Sequence, residues 1–259
     1  MTYRNIRYEH NDMIATITLN RPERMNALTP KLFVEFADAL KTVRSDGARV
    51  LILTGEGNAF CSGADLIGDD EGMPDDLGKM LDDYYHPVVE AIASLDIPVV
   101  SALNGPAVGA GLSLGLAGDI VVMARSAYLL LAFANVGLVP DAGATWLVAK
   151  SAGRAKALEM ALLCEKVFAD QALDLGLVTR VVDDEAVRDE ARAIARKLAN
   201  GPSVALGMIR KQVATALNST FSETLSIEKA NQTRAGHTAD FREALAAFAE
   251  KRKPVFKGE

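Results

Sequence analysis

Residues 99–119, VVSALNGPAVGAGLSLGLAGD, decide how this chain is interpreted. An apolar run typical of a strand leads through an Asn-Gly-Pro turn into a predicted helix built almost entirely of small residues. These small residues are Gly105, Gly109, Ala110, Gly111, Ser113 and Gly115. Because they carry little side-chain bulk, another chain segment or a ligand can approach the backbone closely. The N-terminus of a helix has free N–H donors and attracts negative charge, so this stretch predicts one half of an oxyanion site.

Two motifs give other interpretations of the same stretch. The Gly-Ala-Gly at 109–111 lacks the third glycine that a dinucleotide-binding loop needs at its usual spacing, and Asp119 comes too early for the ribose contact. Residues 111–115 match G-x-S-x-G, the nucleophile elbow of hydrolases, with Ser113 as nucleophile. That elbow follows its strand directly, and His237 would be the one downstream histidine for a triad. A further interpretation is a helix of small residues that packs closely against a neighbouring chain segment, and this is compatible with the oxyanion site.

The composition is that of an ordinary globular protein. Of the 259 residues, 49% are hydrophobic and 24% are charged, which suffices for one large domain with a full core. Two cysteines, Cys61 and Cys164, argue against a disulfide framework and for a reducing cytosol. The three histidines are scattered, so we expect no metal site.

Charge and hydropathy exclude several kinds of partner. The net charge of −6 argues against general nucleic-acid binding. No uninterrupted apolar stretch is long enough to cross a membrane, and no apolar run follows the charges of the first twelve residues, as a secretory signal would require. We therefore expect a cytoplasmic protein with no nucleic-acid partner and no membrane partner.

The order of patterns along the chain predicts an α/β fold. Apolar alternation at 13–19 and a continuous apolar run at 50–53 are typical of strands, and Thr29-Pro30 predicts the start of a helix. Further strands are predicted at 97–103, 120–123, 127–133 and 177–182, with helices at 84–95, 145–152, 155–164 and 170–176. The pattern is helical from residue 184 almost to the end. We interpret residues 1–200 as a coil of strand-strand-helix repeats and residues 201–259 as a helical appendage.

A second stretch of small residues follows the strand at 50–53. Residues 55–66, GEGNAFCSGADL, end in Ser-Gly-Ala-Asp, which predicts another helix opening with free N–H groups at 62–65. Cys61 has no adjacent histidine to activate it, so we interpret it as a small buried hydrophobic residue. The acidic segment 68–76 is either a mobile flap or a solvated loop.

Six segments, in this order, resemble the crotonase superfamily, the enoyl-CoA hydratase/isomerase group. They are NRPERMNAL at 20–28, AFCSGADL at 59–66, SALNGPAVGAGLSLGLAGDI at 101–120, GLVPDAGATW at 137–146, ALDLGLVTRVV at 172–182 and FAEKRKPVFKG at 248–258. The resemblance implies a crotonase-like spiral of ββα units and a C-terminal helical trimerisation region, with a homotrimer or a hexamer made of two trimers. It also implies an acyl-CoA substrate, with coenzyme A entering as part of that substrate and no separate cofactor.

In this family the thioester oxygen lies between two main-chain N–H groups. Carried onto this chain, these donors are the amides of Ala64 and Ala110. Hydratases of the family use two glutamates, but the matching positions here are Ser113 and Phe133. The resemblance to the isomerases and dehalogenases of the family instead assigns the working carboxylate to Asp141. The alternative at this position is a Pro-Asp-Ala-Gly turn closed by an Asx hydrogen bond.

A single carboxylate suits a 1,3-proton shift, so the sequence favours an enoyl-CoA isomerase or a ring-epoxide-CoA isomerase of aromatic acid breakdown. Hydration, dehalogenation, hydrolysis at Ser113 and acyl-CoA binding without catalysis remain alternatives. The resemblance assigns the substrate contacts to Arg24, Ala27, Ser62, Asp65 and Leu66, to Lys251 of a neighbouring subunit, and to an acyl pocket formed by Phe133, Val136 and the region 68–86. Lys251 could equally belong to a solvated basic tail. The acyl group itself stays open.

Overall fold

The computed structural model of the chain describes residues 3–66 and 76–259. The acidic segment discussed above lies outside these residues apart from Asp76. The strands are β1 (Ile6–Asn11), β2 (Ile14–Leu19), β3 (Val50–Gly55), β4 (Val99–Leu103), β5 (Ala107–Val108), β6 (Ile120–Ala124), β7 (Tyr128–Leu130), β8 (Val167–Phe168) and β9 (Arg180–Val182).

The helices begin and end largely where the sequence patterns change. They are α1 (Pro30–Ser45), α2 (Leu77–Met80), α3 (His86–Ala93), α4 (Ala110–Leu116), α5 (Ala144–Leu163), α6 (Ala169–Asp174), α7 (Val187–Ala199), α8 (Ser203–Ala216), α9 (Phe221–Gly236) and α10 (Ala239–Ala249). A π-helical turn, Leu81–Tyr85, joins α2 to α3. As predicted, α1 begins after Thr29, whose hydroxyl accepts a hydrogen bond from the Leu32 N–H, with Pro30 in the first turn.

The larger sheet determines where the loops after the strands meet. Within the described residues its strand order is β1-β2-β3-β4-β6-β9, with β1 and β2 antiparallel and the later neighbours parallel. Every residue of β3 and β4 is buried, which accounts for their continuous apolar sequences. Because the carboxyl ends of parallel strands lie at one edge, the segments that follow β3 and β4 emerge next to each other.

A smaller sheet runs beside the larger one. It pairs β5 with β7 in parallel and β7 with β8 antiparallel. The chain passes from β4 to β5 and α4, then from β6 to β7 and α5, so the strand-strand-helix order repeats. The expected α/β coil of ββα units is therefore confirmed.

The C-terminal helices are fixed to this core by a buried arginine. Whereas α7 packs on β3, β4 and β6, α8 and α9 pack against each other. Arg210 in α8 donates from Nε to Asp119 Oδ2 at 2.8 Å and from Nη1 to the Leu95 carbonyl at 2.7 Å.

The division into 1–200 and 201–259 stays a prediction. Among the described helices, none combines the length and the apolar character that crossing a bilayer requires.

The predicted helix opening at 62–65 is wrong. The segment is extended, and Ala64 forms a parallel bridge with Leu28. Gly63 has a φ of +91°, which an α-helix does not allow. The small residues therefore predicted an accessible backbone correctly but not its conformation, because the bridge to a distant loop determines it.

Other differences concern the bounds of elements. The helix predicted at 84–95 starts earlier, at Leu77, and continues through the π-helical turn into α3. The strands predicted at 127–133 and 177–182 shorten to Tyr128–Leu130 and Arg180–Val182, since only these residues find ladder partners.

A substitution in α4 tests how closely this helix packs. A β-carbon on Gly111 would lie 2.5 Å from the Cys61 carbonyl oxygen and 2.7 Å from Cys61 Cβ. We expect Gly111→Ala to lower the free energy of unfolding in urea by about 1–3 kcal/mol, the usual cost of overpacking. Gly236→Ala is the matched control, since a β-carbon there meets nothing within 4 Å. Equal stability of the two variants would contradict the packing described.

Candidate active site

Hydrogen bonds with Leu28 fix the peptide between Gly63 and Ala64 on one side. The Leu28 N–H donates to the Gly63 carbonyl at 2.8 Å, and the Asp65 N–H donates to the Leu28 carbonyl at 2.9 Å. Because the peptide is trans, the Ala64 N–H points away from the Gly63 carbonyl and therefore away from Leu28. Within residues 3–66 and 76–259 this N–H has no acceptor.

The peptide between Gly109 and Ala110 opens α4. The Gly109 carbonyl accepts hydrogen bonds from the N–H groups of Leu112 at 3.0 Å and Ser113 at 3.4 Å. The N–H of Ala110, the first helical residue, has no partner inside the helix and lies at its partially positive end. Gly109 has φ +54° and ψ −130°, a conformation that glycine adopts far more readily than other residues.

Backbone contacts bring these two peptides together. The Val108 N–H donates to the Cys61 carbonyl at 2.9 Å, and Cys61 forms a parallel bridge with Ala107. A β-carbon on Gly63 would lie 2.9 Å from the Val108 carbonyl oxygen. The glycine is therefore required by the close approach of the two segments, and the free amides that follow each segment are neighbours.

Ala64 and Ala110 both line a cavity of about 610 Å³. This volume lies in the range of roughly 300–1,000 Å³ that is usual for small-molecule sites. The cavity lies between the segment after β3, the helical region 77–86, the start of α4 and residues 132–146. Its apolar side chains include Leu66, Leu77, Met80, Leu81, Phe133, Val136, Leu138, Val139 and Trp146.

Of the described residues that line this cavity, Asp141 alone carries a carboxylate. Its Oδ1 atom is buried and has no hydrogen-bond partner in the described part of the chain. Burial raises the pKa of Asp141 from its usual 3.8 to about 6, and the charge of His86 acts in the opposite direction with a smaller effect. A carboxyl group with this pKa can take up and release a proton near neutral pH.

The main chain of Asp141, unlike its side chain, is firmly held. Its carbonyl accepts hydrogen bonds from the Ala144 N–H at 2.9 Å and from the Ser113 hydroxyl at 3.0 Å. Oδ1 does not close the Asx hydrogen bond that the alternative interpretation of the Pro-Asp-Ala-Gly turn requires. The backbone of Asp141 is thus positioned by α4 and the start of α5, and none of these bonds uses the carboxyl group.

Ser113 does not form a nucleophile elbow. It lies inside α4 and is fully buried, and its hydroxyl donates to the Asp141 carbonyl. His237, the histidine that a triad would need, ends α9, and its Nδ1 lies 2.7 Å from the Thr233 carbonyl oxygen. The contacts of both side chains therefore give the hydrolase alternative no support.

The predicted acyl-pocket residues Phe133 and Val136 line the cavity, as do Ser62 and Leu66 from the predicted coenzyme A contacts. The part of the region 68–86 that the structure describes contributes Leu77 to His86. These residues therefore lie together at one cavity, as the sequence predicted. The contacts that they would make with a substrate stay predictions.

The other predicted coenzyme A contacts are not among the described residues of the cavity wall. Arg24 Nη2 donates to Asp65 Oδ1 at 2.9 Å, beside the buried Ala27. Lys251 follows α10, is exposed and has φ +54°. Its role in a neighbouring subunit stays a prediction.

The sequence placed Tyr85 and His86 at the acyl pocket only as part of the region 68–86 and gave neither side chain a role of its own. His86 lies there with Nδ1 3.0 Å from Asp82 Oδ1, directly after the π-helical turn. Tyr85 is buried next to it, and its pKa is raised by burial and by the charge of Asp141. Both belong to the polar and aromatic sequence Tyr-Tyr-His-Pro, whose position within an otherwise amphipathic helix is the signal that could have identified them.

Comparison with known proteins agrees with this geometry. Residues 9–259 match the family model described as enoyl-CoA hydratase/isomerase. The chain belongs to the enoyl-CoA hydratase/isomerase family. It is 44% identical over 250 residues to 1,2-epoxyphenylacetyl-CoA isomerase of Escherichia coli (strain K12), covering 95% of both chains.

Two further similarities cover the whole chain. The first, at 43% identity over 258 residues and 100% of both chains, is to a Rhodobacter capsulatus protein named "Probable enoyl-CoA hydratase". The second is to the crystal structure of enoyl-CoA hydratase from Bacillus anthracis, with a TM-score of 0.93, 32% identity, and coverage of 99% of this chain and 100% of that one. Members of both the isomerase and the hydratase branches are thus similar to this enzyme.

The charge of His86 provides a test of the environment of Asp141. Since a positive imidazolium lowers the pKa of Asp141, we expect His86→Gln to move that pKa above about 6. The measurement is the pH dependence of the carboxyl infrared band, with Asp141→Asn identifying the band. His237→Gln, an exposed histidine at the end of α9, is the matched control. A downward shift, or the same shift in both variants, would contradict the proximity of His86 and Asp141.

Proposed function

We propose that this enzyme is an acyl-CoA isomerase that polarises a thioester carbonyl with the Ala64 and Ala110 amides and moves a proton with Asp141. One observation carries the proposal: a carboxyl group with a raised pKa shares an apolar cavity with two free main-chain donors. The 44% identical relative carries the name of an isomerase of a ring-epoxide acyl-CoA, which supports the same class of reaction.

The chemistry follows from where charge develops. When Asp141 takes a proton from the carbon next to the thioester carbonyl, negative charge moves onto the carbonyl oxygen and forms an enolate. Two fixed N–H donors stabilise this charge, and losing one such donor typically reduces the rate by about 10²–10³-fold. In a 3-enoyl-CoA the protonated Asp141 then returns the proton two carbons further along, so the double bond moves and the carboxylate is restored.

A ring-epoxide substrate would use the same groups. The CH₂ group between an aromatic-derived ring and a thioester has the same acidic proton, and the cavity offers Phe133 and Trp146 as flat apolar walls. We therefore include 1,2-epoxyphenylacetyl-CoA among the substrates to be tested first, beside 3-enoyl-CoA.

The coenzyme A moiety is proposed to bind at the mouth of the cavity. The backbone around Ala27, Ser62, Asp65 and Leu66 would contact adenine and pantetheine. Arg24, about two-fifths exposed, would contact a phosphate, since its Nη2 alone is used in the bond to Asp65. Lys251 of a neighbouring subunit would provide a second cation. These roles imply a homotrimer or hexamer, and we propose a cytoplasmic enzyme that needs no separate cofactor.

Hydration is the second candidate function, because the Rhodobacter capsulatus relative carries the hydratase name. Against it stands the nature of the two positions at which the resemblance expects glutamates. Ser113 is buried and bonded to the Asp141 carbonyl, and Phe133 is apolar, so neither can hold or deprotonate water. We expect weak or absent hydration of crotonyl-CoA.

Replacement of the carboxyl group tests the proposal. We expect Asp141→Asn to reduce kcat for 3-enoyl-CoA or 1,2-epoxyphenylacetyl-CoA isomerisation by about 10²–10⁴-fold, the usual contribution of an acid–base group. The wild-type rate should fall as the pH drops below about 6, because the protonated carboxyl group cannot act as a base. The measurement is a spectrophotometric assay of each substrate across pH.

Ser113→Ala is the matched control, because it keeps the Asp141 carboxyl group but removes the hydroxyl that a hydrolase would need. It should keep most of the isomerase activity and should change no thioester hydrolysis. Rapid hydration of crotonyl-CoA that survives Asp141→Asn would contradict the assignment. Tight acyl-CoA binding without turnover of any substrate would instead favour a binding protein, and Asp141-dependent release of chloride from 4-chlorobenzoyl-CoA would favour a dehalogenase.

A further inference from the structure

A buried ion pair lies directly behind the Ala64 amide. The carboxylate of Asp65, the next residue, is 4% exposed, and its two oxygens accept hydrogen bonds from two arginines. Arg21 Nη2 donates to Oδ2 at 3.0 Å, and Arg24 Nη2 donates to Oδ1 at 2.9 Å. A carboxylate this deeply buried is uncommon on an extended loop and requires an explanation.

The two arginines differ in how far their side chains are exposed to solvent. Arg21 is only 12% exposed, and its Nη1 also donates to the Ala27 carbonyl at 2.6 Å. One of its bonds therefore holds the loop before Leu28, and the other holds residue 65. Arg24 is 39% exposed, and within the described residues its side chain donates from Nη2 to Asp65 alone. Arg21 is thus held inside the protein, whereas Arg24 keeps donors at the surface.

The bonds of Arg21 act on the peptide that carries the free amide. Leu28 follows Ala27 and holds the Gly63 carbonyl through its N–H and the Asp65 N–H through its carbonyl. Arg21 therefore bonds to the residue before Leu28 and to the residue after Ala64, next to both partners of the Leu28–Ala64 bridge. The direction of the Ala64 N–H depends on the relative position of these two segments.

Stability alone is a weak reason for this arrangement. Removing charges from water costs so much that a buried ion pair often adds little net stability compared with apolar residues of similar size. The geometry of two bonds from one rigid guanidinium, however, fixes an orientation that a lysine or an apolar residue cannot reproduce.

We propose that Arg21, acting through Asp65 and the Ala27 carbonyl, is a positioning residue that directs the Ala64 amide toward the thioester oxygen. Arg24, on the same carboxylate, serves substrate binding instead. Asp65 thus contacts one arginine that orients a transition-state donor and a second arginine that binds coenzyme A. This inference rests on the proposed function, since it needs the Ala64 amide to act as an oxyanion donor.

The kinetic test compares substitutions at the two arginines. We expect Arg21→Met to lower kcat by about 10–100-fold, because a misplacement of about 1 Å can cost that much, with KM changing less than about threefold. Arg24→Met should raise KM and leave kcat close to its original value. Arg21→Lys, which keeps the charge but cannot make both bonds, should recover little of the lost kcat.

The spectroscopic test measures how strongly the protein polarises the thioester carbonyl. Acetyl-CoA labelled with ¹³C at its thioester carbonyl is bound to each variant, and the infrared carbonyl stretch is recorded. Wild-type protein and Arg24→Met should lower the stretching frequency relative to water, and Arg21→Met should lose part of that shift. Asp65→Asn should behave like Arg21→Met, which keeps the test valid if Arg21→Met does not fold.

Arg210→Met is the control for a merely structural role, because it removes another arginine–aspartate pair far along the chain, in which Arg210 is 8% and Asp119 28% exposed. It should reduce the thermal midpoint while keeping kcat and the carbonyl shift. If Arg21→Met retains kcat and the shift, or if Arg210→Met loses them equally, the inference is wrong while the proposed function stands. If wild-type protein shows neither isomerisation nor a carbonyl shift, the proposed function itself fails and the inference with it.

Discussion

The close approach of two backbone segments, 61–64 and 107–110, is the constraint on which the site depends. The Cys61–Ala107 bridge and the contact between Gly63 and Val108 leave no room for side chains between the segments. The Gly63 and Gly109 carbonyls accept hydrogen bonds inside the protein, and within the described residues no backbone acceptor contacts the Ala64 and Ala110 N–H groups that follow them. The two donors are therefore a consequence of how the parallel strands β3 and β4 end next to each other.

Asp141 completes the site at a cost in stability. Its folded-state pKa of about 6 is above the usual 3.8, so the native state holds the proton more tightly than the unfolded chain does. The protonated form therefore contributes stability below about pH 4, and this contribution is lost as the pH rises through about 6. An asparagine would avoid this loss, which indicates that the carboxyl group is kept for its chemistry and held by main-chain bonds to Ser113 and Ala144.

Much of this arrangement is visible in the sequence, for physical reasons. Small residues at 62–64 and 109–111 predicted accessible main chain because only such residues permit close approach, and continuous apolar runs predicted the buried strands. The conformation of 62–65 was mispredicted, since the bridge to Leu28 depends on a segment more than thirty residues away in sequence. The sequence assigned Asp65 to the substrate contacts and the region 68–86 to the acyl pocket, but it did not predict the bond from Arg21 to Asp65 or the place of His86 beside Asp141, because local patterns do not show which distant side chains meet.

The central claim is that one thioester oxygen occupies the space between the two free amides within reach of Asp141. The most direct test is a crystal structure of Asp141→Asn protein with a bound 3-enoyl-CoA, which the variant should turn over about 10²–10⁴-fold more slowly than the wild type. The account predicts that the thioester oxygen lies about 2.7–3.1 Å from both the Ala64 and the Ala110 nitrogen atoms, with the residue 141 side chain against the carbon next to the carbonyl. A thioester oxygen bonded to neither amide, or an acyl chain outside the cavity of Phe133 and Trp146, would contradict it.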